Sequence, residues 1–211
     1  MATLTDDLAS QLQGAPLQQV AQQLGIDASQ ASSAIGAALP LLMGALGRNA
    51  SQPEGAQALF GALQNDHAGG TDLGSVLGAV LGGTQNRQTD GAGILGHIFG
   101  GQQERAQAGV AQATGLQSGQ AGQLLKILAP IVMAYLAKRM FQQRGSAQAG
   151  AAGADPDVLS GILGQEQQQI RQQGGLGGGL LGAVLDQDGD GQLGIGDLLK
   201  MGSGLLGGGG R

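Results

Sequence analysis

Two stretches of this chain repeat one another, and that repeat narrows the available folds more than any other feature. Residues 20–49 and 110–139 align without gaps at an offset of 90. Val20, Ala21, Gln22, Gly25, Gln30, Ala31, Pro40, Met43 and Leu46 coincide with Val110, Ala111, Gln112, Gly115, Gln120, Ala121, Pro130, Met133 and Leu136. The apolar spacing repeats as well. Ala31, Ala34, Ile35, Ala38, Leu42 and Leu46 follow the i, i+3, i+4 pattern of one buried helix face, and so do Ala121, Leu124, Leu125, Leu128, Val132 and Leu136. Ala34 and Ala38 answer Leu124 and Leu128, small residues against large ones. The spacing therefore predicts two halves that pack as pseudo-symmetric partners.

Each copy reads as helix, tight turn, helix. Pro16 suits the first turn of a helix that carries Leu17, Val20, Ala21 and Leu24 on one face. Gly25 closes it, and Asp27 or Ser29 caps the next helix. Pro40 and Pro130 fall deep in the second helices, where the missing N–H and the ring are expected to kink or break them. Thr71 to Leu81 reads as a further short helix. No segment alternates with period two, so the fold class is all-α.

Composition removes several chemistries. With Cys 0 and only His67 and His97, the chain has no disulfide framework, thiolate zinc site or cysteine nucleophile. Ten basic residues against fifteen acidic ones give a net charge of -5, unlike a protein that holds nucleic acid by bulk charge. Gly91-Gly93-Gly96, Gly177-Gly179-Gly182 and Gly202-Gly204-Gly207 match a dinucleotide fingerprint. With Gly 43 in the chain such matches arise from composition, and none follows a predicted strand. No phosphate-binding Gly-Lys-Ser/Thr loop and no nucleophile elbow occurs, so no enzyme is expected. His97, flanked by apolar residues, is expected to be a helix-packing histidine, and His67 an exposed one.

The helix-turn-helix spacing of Val20 to Ile35 supports an alternative function, a nucleic-acid-associated regulator. Ser29, Gln30, Ser32 and Ser33 would then face the duplex. Against it, the second helix carries no Arg or Lys before Arg48, and its counterpart none before Lys126. Phosphate neutralisation supplies much of such affinity.

One motif carries sharp chemistry. Asp186-Gln-Asp188-Gly-Asp190-Gly191-Gln192-Leu193-Gly-Ile-Gly-Asp197 fits a twelve-position calcium loop of the EF-hand kind. Calcium wants six to eight oxygens. Asp186, Asp188 and Asp190 supply the first, third and fifth positions, the Gln192 carbonyl the seventh and Asp197 the twelfth. Gly191 permits the sharp turn, and Leu193 anchors the loop. Asp197 is shorter than the usual Glu and the loop is solitary, so a single structural or moderate-affinity Ca2+ site is expected. Without these four aspartates the chain holds 11 acidic and 10 basic residues, so its acidity is local to the loop.

The expected organisation follows. A helical repeat domain spans 1–141, with repeats around 8–49 and 98–139. A Gln/Ala/Gly linker over 142–154 leads to an amphipathic helix over 155–173 carrying Leu159, Ile162, Leu163 and Ile170. A glycine hinge over 174–179 precedes the EF-hand-like motif over 180–206. Ile127 to Ala137, interrupted by Pro130, is too short to span a bilayer and reads as a core helix. The acidic start, Met1 to Asp7, is unlike a secretory signal. The expected location is cytoplasmic, with signal-free export as the alternative.

Gly93-Ile-Leu-Gly-His-Ile-Phe-Gly-Gly-Gln-Gln, Ala38-Leu-Pro-Leu-Leu-Met and Ala129-Pro-Ile-Val-Met, with the late Asp-Gln-Asp-Gly-Asp-Gly, resemble the YidB-like family of bacterial proteins of unknown function. The resemblance spans nearly the whole chain and implies a bacterial, helical protein, with the Asp-rich loop as in longer members. It implies no reaction and no catalytic residue. The sequence thus points to a non-enzymatic helical protein that binds one calcium ion and acts through a protein partner or a homo-oligomer. No small-molecule substrate and no membrane span are expected.

Overall fold

A computed structural model describes residues 3–67, 73–84, 86–146 and 156–173, and every regular element among them is helical. Helix α1 (Leu4–Gln11) starts on a capping box: the Thr3 hydroxyl accepts from the Asp6 N–H at 3.0 Å, and the Asp6 carboxylate accepts from the Thr3 N–H at 3.2 Å. Helix α2 (Ala15–Leu24) has Pro16 in its first turn and stops at Gly25, whose φ of 66° is the left-handed conformation that costs a side-chain-bearing residue most. Asp27 caps α3 (Ala28–Ala50), accepting from the Gln30 N–H at 2.8 Å. Helices α4 (Pro53–His67) and α5 (Leu73–Leu81) follow. Asp90 caps α6 (Gly91–Phe99), and a 3-10 turn (Gly100–Gln102) leads into α7 (Gln103–Thr114). Gly115, with φ 70°, separates α7 from α8 (Ser118–Ser146). Helix α9 (Pro156–Gln173) is the last described element.

Helix α8 is the axis of the bundle. Residues 127–137 are buried without interruption, so this stretch shows no polar face at all. A helix apolar all round must be covered all round. Helices α2 to α7 all pack against it, and α3 in turn packs against α4, α7 and α9. Ala34 and Ala38 of α3, like Leu124 and Leu128 of α8, are fully buried. Ala28–Ala50 and Ser118–Met140 are long and apolar enough to cross a membrane, but 72% and 83% of their apolar windows are buried inside the bundle.

Three expectations differ from what is found. Pro40 and Pro130 do not break their helices, which continue to Ala50 and Ser146. Proline leaves the carbonyl four residues back without its donor. The Gly36 carbonyl belongs to an exposed residue, while that of Lys126 faces Gly91, the first residue of α6, whose own N–H is bonded to the Thr89 carbonyl. A Cβ at Gly91 would overlap the Lys126 carbonyl, so only glycine lets α6 approach α8 at this point. Tertiary packing thus carries both helices across their prolines. Second, α8 includes residues 142–146, which were expected to start the linker. Third, α1 and α4 are whole helices that the repeat did not announce.

Candidate functional site

Asp186, Asp188, Asp190, Gln192 and Asp197 all lie outside the described residues. Among the described residues, no group of three His, Asp or Glu side chains is arranged to hold a metal ion.

The described residues form one two-part cleft. It opens between the end of α3, the middle of α4 and the end of α6. The polar part, about 670 Å3, is lined by Arg48, Asn49, Ser51, Gln52, His97 and Gln102, with Phe99 behind. The apolar part, about 180 Å3, is lined by Leu46, Leu59, Ala62, Ile94, Ile98 and Met133. Asn49, His97 and Ile98 belong to both, so the two parts meet at His97. The imidazole was expected to be packed among helices, but the residue is exposed. Its apolar neighbours Leu95, Ile98 and Phe99 face the core, and the helical turn carries His97 to the other side. The Asn49 amide donates to the His97 carbonyl at 2.9 Å and ties α3 to α6 across the cleft.

Two helices end here, and Arg48 lies in the last turn of α3, where its positive charge offsets the exposed carbonyl end. Ser51 is near enough to share the cleft with His97, but its hydroxyl donates to the Arg48 carbonyl at 2.7 Å, the bond of a helix-ending serine. Among the described residues, no carboxylate lines either part.

A second polar cluster, missed at the level of sequence, is directed inward. Glu166 of α9 is buried at 4% exposure and accepts from the Leu4 N–H and Thr5 N–H, each at 2.9 Å, and from the Thr5 hydroxyl at 2.5 Å. It satisfies donors that the first turn of α1 cannot satisfy itself. Nearby, the fully buried Tyr135 of α8 donates its hydroxyl to Asp7 at 2.6 Å, with the Arg139 guanidinium 6.0 Å from its ring. Burial, reinforced by the Asp7 bond, raises the Tyr135 pKa and keeps the phenol neutral. The signal was present in sequence: Leu159, Leu163, Glu166 and Ile170 share a face with spacings of four, three and four.

The helix-turn-helix segments are tied by hydrogen bonds within the chain. Ser29 donates to the Asp27 carboxylate at 2.5 Å, and this bond, with that from the Gln30 N–H, lowers the Asp27 pKa and keeps it ionised at the tip of α3. A negative charge there repels phosphate. In the second copy, Gln120 donates to the Leu24 carbonyl at 3.1 Å, so the start of α8 abuts the end of α2.

Residues 6–139 match the model of a family, DUF937, described as bacterial proteins of unknown function. That segment contains both helix-turn-helix units and the whole cleft, but neither α9 nor the Asp-rich loop. No curated protein and no solved structure matches.

Proposed function

The chain belongs to the DUF937 family of bacterial proteins, and from that premise we propose that it is a non-enzymatic helical interaction module that also carries one calcium ion. The observation that carries the interaction reading is the two-part cleft: an apolar hole bounded by Ile94, Ile98 and Met133, rimmed by the polar side chains of Asn49, Gln52, His97 and Gln102. An aliphatic or aromatic anchor from a partner fills such a hole while the rim fixes its orientation. A dilution series on methyl-labelled protein tests it. Ile94, Ile98 and Met133 resonances should shift with concentration if copies dock at this cleft. Shifts confined to other methyls would place docking elsewhere.

The relation between the two halves belongs to the same proposal. We take α2–α3 and α7–α8 as copies of one unit that pack about a pseudo-twofold axis. Matching left-handed glycines at 25 and 115 and the direct packing of α3 on α8 support this. Self-association would extend a pairing principle already used inside the chain.

Calcium would be held by Asp186, Asp188, Asp190, the Gln192 carbonyl and Asp197, a hard-oxygen set suited to that ion. Calorimetric titration checks it: one site in the wild type and none in Asp190→Ala. A wild type that binds nothing at millimolar calcium would remove the ion from the account. The charge on Asp27 and the engagement of Gln120 speak against the nucleic-acid reading. A gel shift at low salt that weakened steeply with added salt would restore it.

A further inference from the structure

At the mouth of the cleft two helices end, and their last carbonyls are already engaged by the protein. The Ser51 N–H donates to the Gly47 and Arg48 carbonyls at 3.0 and 3.2 Å, and the Gln52 N–H to the Asn49 carbonyl at 3.2 Å. The Ala50 carbonyl accepts from the Ser160 hydroxyl at 2.9 Å. On α6, the His97 carbonyl accepts from the Asn49 amide and the Gly96 carbonyl from the Gly100 N–H. The side chains around the mouth add donors: the Arg48 guanidinium, the Gln52 and Gln102 amides and the His97 imidazole. The hole below, about 180 Å3, has Leu, Ile, Ala and Met as its apolar lining among the described residues, without an aromatic ring. An apolar cavity of roughly 150 Å3 is known to admit a six-carbon hydrocarbon.

We propose that the cleft binds a medium-chain aliphatic carboxylate, with its tail in the hole and its head at the mouth. The inference rests on the interaction reading above and names a small ligand for the same site. The choice of occupant follows from donors and acceptors. A carboxylate only accepts hydrogen bonds, so it suits a rim rich in donors whose backbone carbonyls are already engaged. A peptide strand would also bring N–H groups that need acceptors, and these helix ends serve them poorly. Charge agrees with this choice. Among the described residues, Arg48 puts a cation in the lining and no acid opposes it, and a guanidinium fork matches the two oxygens of a carboxylate. Size agrees as well. With about six carbons in the hole, an eight-carbon acid leaves its carboxyl end in the polar part. Once seated, the tail closes the hole to a partner's side chain.

Octanoate is the probe, titrated into the full chain with Ile and Met methyls labelled. The Ile94, Ile98 and Met133 resonances should shift saturably, and octanoate should bind about tenfold more tightly than octanol, which has the tail without the charge. Along a series of linear carboxylates, affinity should rise about fourfold per methylene up to octanoate and then level off as the hole fills. Arg48→Gln should bring octanoate to the octanol level with helicity unchanged. If that variant does not fold, the comparison of acid with alcohol on the wild type decides alone. Equal affinity for the two overturns the inference, because the rim then reads no charge. Affinity that keeps rising beyond octanoate also overturns it, as adsorption to the surface. Methyls that shift on dilution but ignore octanoate overturn the ligand and leave the docking of copies standing. Methyls that respond to octanoate but not to dilution uphold the ligand and remove that docking.

Discussion

At the residue scale, the heaviest burden falls on Glu166. Replacing it with Ala leaves the Leu4 and Thr5 donors unanswered inside the protein, and the expected loss in urea unfolding is about 2–3 kcal/mol. Glu166→Gln keeps an acceptor oxygen and should lose less; equal losses would show that packing, and not the carboxylate, holds α9. Tyr135→Phe removes the bond to Asp7 while leaving the ring buried, and should cost about 1.5 kcal/mol. Its pH dependence has a definite sign. The folded pKa of Tyr135 is raised, so the stabilising term is complete below the unfolded value of about 10 and is lost as pH rises through the folded value. Wild type should lose stability above about pH 10 more steeply than Tyr135→Phe. Asp27 behaves in the opposite sense: its pKa is lowered, so its cap contribution is present above the ordinary carboxylate range and lost on acidification. Melting temperatures of wild type and Asp27→Ala should differ at pH 7 and converge in strong acid.

At the scale of elements, the sequence revealed what periodicity can carry. Gly25 and Gly115, both left-handed, end α2 and α7 where the repeat put them, and Asp27 caps α3. What remained hidden depends on partners far along the chain. The start of α1 is completed by Glu166, 162 residues from Leu4, and no local pattern announces that. His97 differs from the expectation because successive residues of a helix point about 100° apart, so apolar flanks in sequence do not imply a buried centre. Pro40 and Pro130 do not interrupt α3 and α8, because the cost of each proline is local and both helices are buried along much of their length. Gly91 gives a test of that packing. Gly91→Ala should destabilise by about 1–3 kcal/mol, since its Cβ meets the Lys126 carbonyl. Gly96→Ala, where a Cβ meets nothing, should stabilise α6 by about 0.5–1 kcal/mol. Thermal unfolding of the two variants decides whether close approach or helix propensity governs α6.

On the scale of the whole molecule, the buried stretch 127–137 of α8 ties the core together, and the cleft beside His97 and the packing of α9 lie towards the surface. The candidate site was only partly legible. The segment around His97 was singled out in sequence, but Arg48 and Asn49 join it only because α3 and α6 end side by side. The proposed mode of action is contact between molecules. Sedimentation velocity of the full chain over a wide concentration range, with and without calcium, tests it most directly. The account predicts reversible association that Ile94→Glu weakens while helicity by circular dichroism stays unchanged. A wild type that sediments as a monomer at every concentration, in both conditions, would contradict it.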